Sequence, residues 1–473
     1  MNAIPVNISY KEAKMHTKHW KFFAIALFIL GTSATSWASA PVVEWSRTFG
    51  GSGDDWANAI QQTSDGGYIV VGSTNSNDGD VAGIRGWFAS GRDAWVIRLD
   101  ANGDIVWQRT LGGSGGDSVR AVQQTTDGGF IVAGHYESSG GFFSGNQNNP
   151  NGWVVKFDAD GRVEWQRSYG GREIDFINDI QQTSDEGFIF IGTTSSIREL
   201  EDGRPNIFVR FTTWLFGLDQ SARFFRGNDA WVARLNSSGA IEWQKVLGGP
   251  GLRQNTGRAI QQTADGGYIA AAQASNFRND ILSLDAWIIR LDATGDIVWQ
   301  RLLGGSGTDF VSSIKQTADG GYIVVGNSDS NDDDASSNHE YPNGWVIKLD
   351  NNGEIEWQRL LGGSGRDIFN SIQQTMDGGY IIAGRSNSND GDVSSNRGSL
   401  NGWIVKLDNN GEIEWQKTLG GSGVDVFDSV QQTADGGYIL AGSSTSSDGD
   451  VLRNNGESDF WIVKLKYEST ARQ

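Results

Sequence analysis

Gly353-Glu-Ile-Glu-Trp-Gln-Arg-Leu-Leu-Gly-Gly-Ser-Gly-Arg-Asp-Ile-Phe-Asn-Ser-Ile-Gln-Gln-Thr-Met-Asp-Gly-Gly-Tyr-Ile-Ile-Ala-Gly384, then a variable loop, then Asn401-Gly-Trp-Ile-Val-Lys-Leu-Asp-Asn-Asn410: this stretch is one unit of a repeat. Its tryptophan recurs as Trp45, Trp107, Trp165, Trp243, Trp299, Trp357 and Trp415, at spacings of 62, 58, 78, 56, 58 and 58 residues. Repeats of this period built from short alternating segments, with turn residues between them and no helical periodicity, are the sequence form of propeller blades.

Each unit offers four strands, A to D. In the fifth unit they are expected at Val311–Thr317, Tyr322–Gly326, Trp345–Asp350 and Glu354–Arg359. The A–B turn is Asp-Gly-Gly in six units and Asp185-Glu186-Gly187 in the third, where glycine would supply positive φ. The C–D turn Asp350-Asn-Asn-Gly353 predicts Leu349 opposite Ile355, Ile347 opposite Trp357 and Lys348 opposite Glu356. The repeats open on a lone D strand, Val43–Thr48, and close on a C strand, Trp461–Lys466. The expectation is an all-β, seven-bladed β-propeller with four antiparallel strands per blade, the N-terminal strand completing the last blade.

The L-G-G-S-G-x-D, D-G-G-Y-I and W-[VI]-[VI]-K-L-D segments resemble those of a large group of secreted bacterial β-propeller proteins. The stretch Leu291-Asp-Ala-Thr-Gly-Asp-Ile-Val-Trp299 also resembles the tryptophan-docking repeat of pyrroloquinoline quinone dehydrogenases, which implies a shared blade architecture. Those enzymes usually have eight blades, a bound calcium and often a vicinal disulfide. Seven units without cysteine depart from that pattern, and no residue carries over.

Composition narrows the function. With no cysteine in 473 residues, disulfide scaffolds, thiol nucleophiles, cysteine zinc sites and iron–sulfur clusters are excluded. A net charge of -19 argues against a nucleic-acid partner, whose phosphates need cationic side chains. Residues 1–38 read as a signal peptide: Lys11, Lys14, Lys18 and Lys21 precede an apolar run, Phe22–Leu30, too short to span a bilayer. The first 40 residues carry four Lys and one Glu, net +3, so their removal takes -19 to -22. Residues 39–473 are expected to be a single propeller, secreted or periplasmic, with no membrane span.

The variation between units falls in the B–C loops, which share a propeller face with the D–A connections. Three features lie there. Asp55, Asp117, Asp175, Asn255, Asp309, Asp367 and Asp425 precede strand A and are placed at the channel mouth. They either cap their own Gly-Gly-Ser-Gly turns or hold an axial cation or polyhydroxyl ligand. Asp78 and Asp80, Asp332 and Asp334, Asp390 and Asp392, and Asp448 and Asp450 form an acidic arc over blades 5, 6, 7 and 1. It is either a solvated surface or a calcium site, calcium being the one cofactor the sequence suggests. Trp56, Trp87, Phe88, Phe142, Phe143, Phe208, Phe211 and Trp214 are the candidate ligand-binding aromatics.

After signal removal only His135 and His339 remain, three blades apart, so a histidine triad or zinc site is not expected; His135, at the start of the second B–C loop, reads either as a lone acid or base or, the favoured reading, as an exposed loop residue. The leading reading is a secreted binding or scaffold propeller that engages a polysaccharide or protein through this face. The alternatives are a carboxylate-based glycan-cleaving enzyme and, behind it, a quinoprotein-like oxidoreductase.

Overall fold

The computed structural model describes residues 40–82, 91–137, 150–195, 228–248, 255–278, 281–332, 334 and 341–468. Among these residues, twenty-eight strands form seven four-stranded antiparallel sheets, each in the order A-B-C-D. In blade 5 the strands are Asp309–Gln316, Tyr322–Ser328, Asn343–Leu349 and Ile355–Leu361. Each A strand packs beside the A strands of both neighbours, which closes a ring around a central channel. Strand Val42–Phe49 pairs antiparallel with Asp459–Lys466, from Val42 opposite Lys466 to Phe49 opposite Phe460, so the first strand completes the seventh blade. No α-helix occurs among the described residues, and none of their segments is a helix long and apolar enough to cross a membrane.

The C–D register differs in one respect from expectation. Leu349 faces Ile355, but Lys348 faces Trp357 and Ile347 faces Gln358, because Glu356 is an extra residue that bulges out of strand D. The bulge lets Glu356 fold back, and Lys348 Nζ still reaches its Oε2 at 2.9 Å.

Hydrophobic packing lies between blades. Each of seven core clusters draws residues from two adjacent blades; one joins Ile269 and Ile288 of blade 4 to Ile314, Val324 and Trp345 of blade 5. The two tryptophan sets divide the labour. Strand-C Trp95, Trp231, Trp287, Trp345 and Trp403 are buried and donate their indole N–H to the Gln that follows the strand-D Trp of the same blade, at 2.9–3.2 Å. In blade 7, where strand D comes from the other end of the chain, Trp461 donates to Ser46 Oγ at 2.9 Å.

Strand-D tryptophans make the joints. Trp45, Trp107, Trp165, Trp243, Trp299, Trp357 and Trp415 each meet the first aromatic of strand B in the next blade, with ring centroids 5.7–5.9 Å apart. At six of the joints the same ring lies against the C–D glycine of that next blade: Gly353, at φ +81, sits so close to Trp299 that a Cβ would fall 2.7 Å from it. At the seventh, where blade 7 has no C–D turn, Trp415 donates to Tyr467 Oη at 3.2 Å.

The Gln-Gln pair ending strand A belts the blades together. The second Gln accepts from an A–B turn N–H of the preceding blade at all seven joints, as in Ser64 N–H to Gln124 Oε1 at 2.8 Å. The first Gln accepts from the next blade's second Gln at six joints, and Lys315, which cannot accept, replaces it in blade 5.

A buried cation on each C strand, Arg98, Lys156, Arg234, Arg290, Lys348, Lys406 or Lys464, holds the Asp of its A–B turn. That Asp also accepts from the Thr two residues earlier. A buried charge paired in this way costs several kcal/mol if one partner is removed.

Two glycines separate conformation from packing. Gly320, at φ +87, has nothing within 4 Å of the point where a Cβ would stand, whereas Gly353 faces Trp299. Gly320→Ala is expected to cost ~1–2 kcal/mol, the positive-φ penalty alone, and Gly353→Ala at least ~1 kcal/mol more, from overpacking against the indole. Paired urea melts measure the difference; equal costs would mean the joint is not tightly packed.

Candidate functional site: a polar funnel on the propeller axis

Strand A of each blade carries a bulge at the same place. In blade 1 Ala57 pairs with Gly72 and Ala59 with Val71, which leaves Asn58 without a partner on strand B. The corresponding residues are Arg120, Asn178, Arg258, Ser312, Asn370 and Asp428. A bulge re-aims its extra residue, and here all seven line one cavity of about 900 Å³ that opens on the axis. Above the bulge ring the wall is made by Trp56, Ser118, Phe310 and Ile368 of the A strands, together with Ser73, His135, Asn327 and Arg385 of the B strands. Arg92, Glu137 and Arg366 complete the rim.

The bonds within the funnel are specific. Arg120 Nη1 donates to Asn178 Oδ1 at 3.0 Å, and Asn178 Nδ2 donates to the Gly257 carbonyl at 2.6 Å, so blades 2, 3 and 4 are tied side by side. Asn370 Nδ2 donates to Asp428 Oδ1 at 2.9 Å and to the Phe427 carbonyl at 3.0 Å. Burial pushes the Asp428 carboxyl up to about 6, against the pull of Arg385. His135 lies on strand B rather than in an exposed loop, edge-on to Phe176 at 4.7 Å. Burial, reinforced by the charge of Arg120, lowers its pKa to about 3, so it is neutral at pH 7. Outside the funnel, Asp179 lies one residue beyond the bulge position; burial raises its pKa while Lys315 opposes the shift.

The sequence-predicted residues fall into three groups. Trp56, 38% exposed, is in the funnel, with the Arg92 guanidinium 3.6 Å above its ring. Trp87, Phe88, Phe142, Phe143, Phe208, Phe211 and Trp214 lie outside the described residues, as does His339.

The seven residues expected at the channel mouth are 0–1% exposed. Six of them cap their own turns: Asp55, Asp117, Asp175, Asp309, Asp367 and Asp425 each accept the N–H of the glycine four residues earlier, at 2.7–3.0 Å. Asn255 instead donates to Asp229 Oδ1 at 3.3 Å. Among the seven only Asp117 also borders the funnel.

The acidic arc serves the same connections. In blade 1 five consecutive N–H groups are each taken by a different side chain: Gly50 by Asp80, Gly51 by Asp55, Ser52 by Asp78, Gly53 by Ser76 and Asp54 by Asn75. Blades 6 and 7 repeat the pattern with Asp392, Asp367, Asp390, Ser388 and Asn387, and with Asp450, Asp425, Asp448, Ser446 and Thr445. In blade 5 Asp332 holds Ser306 N–H at 2.7 Å; Asp334 is also within the described residues. A group of three or more His, Asp or Glu side chains placed to hold a metal does not occur among the described residues.

Sequence reasoning missed the bulge ring, although the sequence carries a signal for it. In the strand-A segments from DWANAI at Asp55 to DVFDSV at Asp425 the fourth position is polar in every blade, although the two positions before it vary freely and are mostly apolar. Two successive non-core positions in a strand of otherwise period two mark a bulge.

A scan against models of known protein families gives no match, and neither does a search of curated protein sequences. Among solved structures, similar chains include Sqt1 from Chaetomium thermophilum, with 12% identity over 91% of this chain and 100% of that one and a TM-score of 0.43. The α-L-arabinanase of Penicillium chrysogenum, complexed with arabinobiose, has 8% identity over 90% and 98% and a TM-score of 0.42. Drosophila Plexin A, in complex with Semaphorin 1b, has 8% identity over 89% and 88% and a TM-score of 0.42.

The locked connections can be probed by mutation and by pH. Ser388→Ala removes an acceptor and a donor at once and should cost ~1–3 kcal/mol, while excess chelator and added calcium should leave the melting temperature equal; a calcium-dependent melt would restore a metal role to the arc. As for pH, burial raises Asp93 and Asp459 to about 6, each next to a second carboxylate, Asp117 or Asp55. Folding therefore takes up protons as pH falls through about 6, and this gain is complete by the unfolded value of 3.8. At Asp127 and Asp435 burial is outweighed by hydrogen bonds from Thr and Lys, which hold both at about 2, so their contribution is lost below 3.8. Melting temperature should peak between these limits, and Asp459→Asn should remove part of the rise on its alkaline side.

Proposed function

We propose that this protein is an exported binding propeller that takes the end or a protruding residue of a polysaccharide into its axial funnel. The observation that carries this reading is the bulge ring: the bulge recurs at the same place in all seven A strands, and the residues it turns into the one cavity are all polar, three Asn, two Arg, one Ser and one Asp. A scaffold alone does not need four kinds of polar side chain there, whereas a ligand lacking sevenfold symmetry does.

The chemistry favours a hydroxylated ligand. Amides, hydroxyls and guanidiniums outnumber apolar groups in the lining, the reverse of a site for a greasy molecule. Asn side chains both donate and accept, as sugar hydroxyls do. Trp56 at the rim offers an aromatic surface. The lysine-rich, apolar N-terminal segment supports export, and the repeat segments support kinship with the secreted bacterial propellers they resemble.

The test is retention of the mature chain on a panel of soluble glycans, with reducing ends assayed in parallel. Retention without release is expected, with Asn58→Ala and Trp56→Ala each weakening it by about fivefold or more. Release of reducing ends would make the protein a hydrolase, with Asp428 its first candidate acid. Absence of any retained glycan would overturn the reading.

A further inference from the structure

The chain is strongly acidic, yet five arginines, Arg92, Arg120, Arg258, Arg366 and Arg385, line the funnel. Among the described residues only Arg92 of these has an ion pair, 3.6 Å from Asp54, and it stacks on Trp56. Arg385 lies near enough to Asp428 to act on its charge, and Arg366 lines the wall beside it. Arg120 and Arg258 have no carboxylate within ion-pair distance among the described residues. Arg120 is exposed to the cavity and Arg258 half-buried in its wall, close enough that the charge of Arg258 acts on Arg120. Arg258 Nε is buried without an acceptor among the described residues, as His135 Nδ1 is without a partner.

Two like charges that face one cavity without a carboxylate partner, with the Arg258 Nε donor buried and unspent, favour an anion that completes them. We propose that the wall of blades 2 to 4 is a carboxylate subsite, in which Arg120 and Arg258 receive the acid group of a uronic-acid residue. This deepens the reading of the funnel as a glycan site and rests on it.

Asn178 supplies the geometry. It fixes Arg120 through its Oδ1 and is itself anchored to Gly257, the residue before Arg258, so the two guanidiniums are held in register across blade 3. Neutral His135 adds a hydrogen-bonding group without a third charge, and two guanidiniums offer the forked donors that a planar carboxylate matches. The carboxylates bordering the cavity are Asp117, which caps Gly113, Glu137, and Asp428, which is held by Asn370. The negative exterior repels polyanions at long range, so recognition should be confined to a single acid group inside the funnel.

The probes are trigalacturonate and its methyl ester, titrated into the full mature chain. The acid should bind about tenfold more tightly than the ester, and only its affinity should fall as salt is raised. Arg120→Gln and Arg258→Gln should each weaken the acid about tenfold and leave the ester unchanged; melting temperatures verify folding. If a variant does not fold, the salt dependence of the unaltered chain decides. Equal binding of acid and ester, or equal losses for both, would overturn the subsite while leaving the funnel a glycan site. Retention of neither probe would also overturn it, and the neutral glycans of the panel then decide the broader reading separately. A sulfated trisaccharide bound in preference to the uronate would replace the carboxylate assignment.

Discussion

Everything in this propeller depends on the joint between one blade's outermost tryptophan and the next blade's C–D glycine and strand-B aromatic. A four-stranded sheet has two faces to bury and cannot bury either alone; stacking sheets around an axis buries both. The core is accordingly a set of interfaces, with each cluster shared by two blades. An aromatic pair adds ~0.5–1.5 kcal/mol beyond its buried area, and seven of them occur at one geometry. Closure follows from the same logic, because Trp45 can meet Tyr68 only when the first strand has docked on the last.

Hydrogen bonding supplies the direction that packing lacks. The Gln-Gln belt links the A–B ends of the blades, while the Gly-Gly-Ser-Gly connections at the other end are locked by Asp, Ser and Asn from the B–C loops. Runs of free backbone N–H groups would otherwise be open to water or to anions. The acidic loops therefore do a job that their composition did not reveal: one carboxylate oxygen each of Asp78, Asp80, Asp332, Asp390, Asp392, Asp448 and Asp450 accepts a backbone N–H of a connection.

The funnel uses the one strand-A position that the sheet ladder leaves unpaired. Residues before and after the bulge pair with strand B, but the bulged residue has no strand partner and lines the cavity, where Asn58, Arg120, Asn178 and Asn370 bond to the next blade. The ladder does not dictate which polar side chain stands there, so it can follow a ligand. Five arginines inside an acidic shell show how far the lining departs from the surface around it.

Blade number, strand order, closure by the N-terminal strand and the turn glycines were all legible in the sequence, because they depend on local periodicity and on which residues tolerate positive φ. Even Glu186 at the third A–B turn, with φ 67, stands where the repeat calls for glycine. The roles of polar residues were not legible, since a buried cap, a metal ligand and a solvated loop share the same local pattern. Asp78 and Asp390 acquire their roles only when a connection distant in sequence is brought to them. Arg120 and Arg258 are 138 positions apart in the chain numbering and share one cavity only because the A strands of blades 2, 3 and 4 pack side by side. Local sequence determines which strands form; the convergence of seven inner strands on one axis decides which side chains share a site.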